Sequence, residues 1–479
     1  MIVSRVPQEF YADPAIRSRL VEFLGGRSLS TATTVFVVTS DGDWDRPRPT
    51  GDLVQCLEEG AEVARSLWDR ESMIAHLDIE YVNFDHAMAP YFEPERIFDI
   101  QRPVVRAIQE FLLTYGISPL HLLSGRGHHF VWRVRRDGKA FSLLSRLGRT
   151  PQSLDTRYLL PQSPESEVVG LKLGSAFAGL GQVLEFVTHN VLNAVDGHCE
   201  LPVEVTAVEA GPRSRGREII SIDLSEYGDP LYTRSIRMPF GVYLKAQHQG
   251  KHMGETLTES LPILFMIPLH EMDDRQGLLV RRDMGETMKL ARRASVQIPE
   301  QTDGMVSLVA EYECSALARF HRYFYEADHD LPEDWPRTYD QTRLDLLPLC
   351  ARRILQEPND LLLKPAAVQH IVRVLMGVGW HPRHIAGLIR SKFERDHGWG
   401  DRWHRYDAAT RADFYTRLFA GLLVGGKDPL IDFNCRSTQE KGYCPQGECH
   451  DNLENLHGSL CSTVAKLEHL ITPHMERRP

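Results

Sequence analysis

The chain has 479 residues, 42% hydrophobic and 25% charged, with a formal net charge of −10. That balance excludes collagen-like, mucin-like and largely disordered classes, and the length suits two or three domains at roughly 150 residues each. The protein is no bulk polycation, so any nucleic-acid binding must rest on locally gathered positive charge.

No apolar run reaches the roughly 18 residues that would cross a bilayer, and Met1 to Glu9 lacks the apolar core of a secretory signal. The expectation is a cytoplasmic protein with no membrane partner. In a reducing compartment the eight cysteines are not a disulfide framework. Five of them lie between Cys350 and Cys461, which reads as a metal or cluster site.

To about residue 250 the pattern mixes helices and strands. Asp13 to Leu24 reads as a short capped helix, and Gln101 to Tyr115 as an amphipathic one with apolar positions three and four apart. Strands are expected at Thr34 to Thr39, Ile74 to Tyr81, Phe130 to Val134 and Glu218 to Leu224. Gly211 to Gly216 has the turn chemistry of an exposed basic loop. From about Glu311 onward the periodicity is helical. The acidic, proline-broken stretch Asp328 to Pro336 reads as a connector. Helices follow at Leu344 to Gln356, Ala366 to Gly377, Pro382 to Arg395, Ala408 to Leu423 and around Ser462 to Leu470.

Three segments of the first half carry chemistry if they converge. In His76 to Tyr81 (HLDIEY) a strand places Asp78 and Glu80 on one face while Leu77 and Ile79 face the core. Two such carboxylates repel unless a cation lies between them, and a hard magnesium or manganese ion is the usual solution. A solvent-facing edge strand with two ordinary acids is the plainer alternative. Leu123 to Trp132 (LSGRGHHFVW) has two glycines that expose amide N–H groups to an anion. Ser124 adds a hydroxyl there, Arg126 forks onto phosphate, and His128 and His129 lie on opposite faces of the following strand. A structural turn with satisfied histidines would look the same. In the third segment Asp223 ends a strand, and Arg234, Arg237 and Lys245 follow with Phe240 and Tyr243 among them. Cations and rings together suit a nucleotide, and solvated basic residues beside a buried acid are the alternative.

In the C-terminal half, Cys435, Cys444 and Cys449 are spaced C-x8-C-x4-C, with Gly442, Pro445 and Gly447 shaping the loops, and Cys350 lies upstream. Three or four thiolates suit zinc, and four suit an iron–sulfur cluster; the missing C-x2-C knuckles tilt the reading toward a cluster. The helices nearby carry Arg373, Arg383, His384, Arg390, Lys392, Arg395, Arg402 and Arg405 with Trp399, Trp403 and Tyr406 interleaved. That is a candidate template-binding surface, or else a set of solvated helix faces. Cys56, Cys199 and Cys314 read as ordinary thiols.

Together the first three segments resemble the motifs of the archaeo-eukaryotic primase superfamily: a paired-acid strand, a serine-glycine-arginine-glycine turn ending in histidine, and a later single aspartate. Order and spacing agree over most of residues 70 to 250. One departure is Tyr243, where small primase subunits commonly place a phosphate-contacting histidine. Another is the lack of a zinc site between the second and third motifs, where the adjacent His198 and Cys199 are the candidates and two ligands do not close a site. The later segment resembles the iron–sulfur domain at the C-terminus of the large primase subunit. Cys350, then Val378 to Ile385, then Cys435, Gly442-Tyr-Cys444 and Cys449 fall in that module's order.

The resemblance implies an α+β fold with an RRM-like catalytic core of mixed or antiparallel sheets at 1–255, a helical connector at 256–335, and an all-α iron–sulfur domain at 336–479. It implies a DNA primase or primase-polymerase. Asp78, Glu80 and Asp223 would be the catalytic ligands of two divalent Mg²⁺ or Mn²⁺ ions about 3.5–4 Å apart. Ser124, Gly125, Arg126, His129, Arg237 and Lys245 would bind the nucleotide. Cys350, Cys435, Cys444 and Cys449 would ligate a [4Fe–4S] cluster, with Cys461 the alternative fourth thiolate and zinc the alternative metal. The expected partners are single-stranded DNA template, nucleoside triphosphates, and a replicative helicase or polymerase. A primer-extending or gap-filling polymerase, or a non-catalytic DNA-binding replication protein, is the competing reading.

Overall fold

A computed structural model describes residues 8–26, 28–32, 35–37, 48–161, 167–206, 218–251, 261–356, 364–394, 406–444, 449 and 452–472. Residues 211–216 of the expected basic loop lie outside them, as do Pro445, Gly447, Arg395, Trp399, Arg402, Trp403 and Arg405.

The capped helix forms as Pro14–Phe23: Asp13 accepts from the Ala15 N–H at 2.8 Å, and Pro14 supplies a first-turn position that needs no donor. The described strands are β1 (Val35–Val37), β2 (Val63–Ser66), β3 (Ser72–Asn83), β4 (Leu120–Leu123), β5 (Gly127–Arg135), β6 (Val203–Val205), β7 (Glu218–Asp223), β8 (Ser235–Arg237), β9 (Val242–Tyr243), β10 (Leu264–Phe265) and β11 (Ile267–Pro268). They form a six-stranded sheet ordered β11-β4-β5-β3-β7-β6, a three-stranded sheet β1-β2-β8 and the pair β10-β9. All pairings are antiparallel except β6 with β7, so the fold is α+β with a mixed sheet.

The helix Pro94–Thr114 covers one face of the large sheet, where Phe98 meets His128 edge-on at 5.2 Å between ring centres. Behind it runs Leu171–Val195, a 25-residue helix apolar nearly all round and correspondingly buried. The opposite face of β3 carries Asp78 and Glu80, which with Val82 are the less buried positions of an otherwise enclosed strand.

The stretch 256–335, expected as a helical connector, contributes more than a link. Its strand β11 pairs with β4 at the edge of the large sheet, and β10 pairs with β9. The acidic segment before residue 337 folds as a 3₁₀ turn, Pro332–Arg337, because Trp335 buries against the protein beneath the Arg390 guanidinium.

The C-terminal half is helical, with Leu349–Gln356, Pro365–Gly377, Pro382–Phe393, Ala408–Val424, Cys435–Glu440 and Glu454–Ile471. Its hydrophobic core is continuous with that of the first half. Ala408–Val424 is the bridge: Phe414 packs on Gly228, where even a β-carbon would come within 2.6 Å. Beside that contact, Arg411 Nη1 lies 3.1 Å from Asp229. Arg417 Nη2 reaches Glu185 at 2.5 Å, and His321 Nε2 approaches the same carboxylate at 3.0 Å, all three buried.

Candidate active site

The site is built on strand register. Asp78 of β3 stands opposite His129 of β5 on one side and Asp223 of β7 on the other. Residues directly opposite in a sheet share a face and stand roughly 4.5–5.5 Å apart at the backbone. A row of His129, Asp78 and Asp223 therefore crosses the sheet. Two residues along β3 on the same face, Glu80 stands opposite Gly127 and Ser221.

The carboxylates differ in their surroundings. Arg126 and Lys245 both pair with Glu80, the latter at 2.9 Å. Burial alone would raise the Glu80 carboxyl, but these two cations hold it well below the usual range. Asp78 is pushed up to about 8 by burial, then by the charges of Glu80 and Asp223. Its Oδ1 is buried with no hydrogen-bond partner, and His129 Nε2 stands 3.5 Å away. Asp223 is raised too, by burial and by Glu80, although the Ser225 N–H donates to its Oδ1 at 2.8 Å.

The glycine turn lies at the end of this row. Ser124 Oγ donates to the Gly127 carbonyl at 3.1 Å, and Arg281 donates to the Ser124 carbonyl. Gly127 has no room for a side chain, since a β-carbon would lie 1.8 Å from the Ile79 carbonyl oxygen. Gly125 rests on the ring of Tyr243, which is buried and has the Arg237 guanidinium 5.2 Å from its centre. Tyr243 thus acts as a floor for the turn. Lys245 reaches Glu80, Arg237 pairs with Glu62, and Arg234 pairs with buried Asp229, from where its charge also opposes the rise of the Asp223 carboxyl.

Behind His129 runs a chain of hydrogen bonds. His129 Nδ1 is 2.7 Å from His76 Nε2, and His76 Nδ1 is 2.9 Å from Glu226. His76 lies two residues before Asp78 on the same face, so the alternation that picked out Asp78 and Glu80 also marked His76. Nothing local marked Glu62, Glu226 or Arg281. His128, on the opposite face, bonds to His121 at 2.9 Å and has no part in the row.

In the C-terminal half the thiols of Cys350, Cys435, Cys444 and Cys449 come close enough to act on one another. Burial pushes the Cys350 thiol up to about 12, with Cys444, Cys449 and Cys435 adding to the rise. His370 Nε2 sits 3.3 Å from the Cys350 sulfur. Cys461 stands apart on the exposed side of Glu454–Ile471, with its sulfur 3.6 Å from His457.

The basic helices differ from the sequence expectation. Arg373 is buried between Asp428 and Asp432, at 2.7 and 2.9 Å, so it cannot face a nucleic acid. Arg383 pairs with Asp413 at 2.5 Å and Arg390 with Glu394 at 2.6 Å.

Among the described residues no three His, Cys, Asp or Glu side chains are grouped closely enough to hold a metal ion. The donor chemistry of Asp78 and Asp223 nevertheless fits a hard divalent cation: two raised carboxyls side by side, one with an orphaned oxygen. Glu80 is already shared by two side-chain cations. The four thiols fit a thiophilic centre by composition. No known family, curated protein or solved structure matches this chain. Among the described residues no helix is long and apolar enough to cross a membrane.

Proposed function

We propose that the chain is a template-directed nucleotidyltransferase of the primase-polymerase type, making primers on single-stranded DNA. The observation that carries this reading is the row itself: Asp78, Asp223 and Glu80 gather on one sheet face, and a glycine turn with Arg126, Lys245 and His129 borders them. In this reading Asp78, Asp223 and Glu80 hold two Mg²⁺ or Mn²⁺ ions. Such ions, held there, would supply Lewis acidity toward the attacking 3′-hydroxyl and positive charge toward the triphosphate and pyrophosphate.

The protein's own groups position and neutralise. Arg126 and the Gly125 amide receive phosphate oxygens, while the Ser124 hydroxyl and the Gly127 amide, bonded to each other, hold the shape of the turn and His129 points its Nε2 into the row. Lys245 and Arg126 then exchange part of their hold on Glu80 for the incoming phosphates. The 3′-oxygen bonds to the α-phosphorus as the bond to the β-phosphate oxygen breaks, which places the burden on alignment and charge rather than covalent catalysis. Cys350, Cys435, Cys444 and Cys449 hold a [4Fe–4S] cluster, with zinc as the alternative, and by the family resemblance that domain receives the initiating nucleotide and template.

The test is synthesis on single-stranded DNA from nucleotides alone, after anaerobic purification. Product in the absence of any primer supports the proposal. Product only from a preformed primer favours an extending or gap-filling polymerase, and no incorporation under either condition favours a DNA-binding protein.

A further inference from the structure

Arg281 closes the last turn of the helix Asp274–Val280 and is fully buried. Its Nη1 donates to the Ser124 carbonyl, and its guanidinium stacks 4.7 Å from the centre of the Phe98 ring. Its Nε and Nη2 are buried with no hydrogen-bond partner, and among the described residues it forms no ion pair. The carboxylates around the turn pair elsewhere: Glu80 holds Arg126 and Lys245, and Glu62 holds Arg237.

A charge taken out of water without a counterion is costly, and proteins keep one mainly where a function uses it. In a low-dielectric interior its field also reaches further than it would in water. The contact with Ser124 places that charge against the first residue of the glycine turn. Burial lowers the guanidinium to about 9, and the neighbouring Arg282 adds to the fall. At neutral pH it therefore remains charged.

We propose that Arg281 is a positioning residue for triphosphate: it anchors the Ser124–Gly127 turn from beneath and supplies a buried positive charge whose counterion is the bound polyphosphate. This rests on the nucleotidyltransferase reading and adds to it a residue that sequence motifs do not reach.

The proposal predicts that stability and binding move in opposite directions. Arg281→Met removes the unpaired charge while filling a similar volume. It should melt at or above the temperature of the parent chain yet bind inorganic triphosphate at least 10-fold more weakly by calorimetry. Arg281→Lys keeps the charge and should bind within about 3-fold of the parent. Equal binding by Arg281→Met and parent overturns the proposal while leaving the nucleotidyltransferase reading intact. So does an Arg281→Met chain that melts well below the parent or fails to fold, since Arg281 would then be an ordinary structural residue. An Arg281→Lys loss as large as that of Arg281→Met also overturns it, because geometry rather than charge would be responsible. A parent chain that binds no triphosphate overturns both readings together.

Discussion

Asp78 and Asp223 stand directly opposite each other on neighbouring antiparallel strands, although they lie far apart in the chain. The charges of Glu80 and Asp223 make Asp78 harder to ionise, and Glu80 does the same to Asp223, so the group stores repulsion that a divalent cation would relieve. Asp78→Ala and Asp223→Ala should each lower nucleotide incorporation by roughly 10²–10³-fold or more. Affinity for single-stranded DNA, followed by fluorescence anisotropy, should stay within about 3-fold. Wild-type incorporation by either variant would refute the assignment of these carboxylates.

The glycine turn tolerates no side chain at one position. Gly127→Ala would drive a methyl group into the Ile79 carbonyl, in the middle of the pairing that aligns β5 with β3. Overpacking of this kind costs about 1–3 kcal/mol, and here it also displaces Glu80's neighbour. Gly127→Ala should therefore lose thermal stability and triphosphate affinity together, measured by calorimetric melting and titration.

The thiol quartet separates four cysteines from a fifth. Cys350→Ser should lose bound iron, or zinc if that is the metal, along with primer-free initiation, while retaining some extension of a preformed primer. Cys461→Ser should keep the parent's metal content and visible absorption. Elemental analysis of both variants checks this, and full metal content in Cys350→Ser would exclude the ligand set.

The two halves are joined by a buried ionic cluster. Burial alone would raise Glu185, but Arg417 and His321 bring it down to about 2, below the ordinary value of 4.5. A carboxyl depressed in the folded state stabilises the fold above its unfolded pKa, and that contribution is lost as pH falls from about 4.5 towards 2. The parent chain should therefore lose stability across that window in urea melts. Glu185→Ala, which leaves buried Arg417 without its carboxylate and with only the Tyr325 hydroxyl among its described polar partners, should cost about 3–5 kcal/mol at neutral pH and show a weaker acid dependence.

Much of the candidate site is written in local pattern. Alternation along His76 to Tyr81 places Asp78 and Glu80 on one face, the two glycines mark the turn, and the helices of the C-terminal half follow their apolar periodicity. These are properties of a few consecutive residues, and backbone geometry alone turns them into structure. The same local reading treats Arg373 as a surface cation, because a helix carries no record of the Asp428 and Asp432 carboxylates that enclose it. It also treats 256–335 as a link, since β11 becomes a sheet strand only by meeting β4.

Which strands lie side by side, and in what register, was decided by tertiary structure. Hydrogen-bonded pairing and ion pairing act through space and take no account of separation along the chain. That is why the alignment of Asp223 with Asp78, the His129–His76–Glu226 chain and the buried Arg281 beneath Ser124 emerge only once the chain is folded.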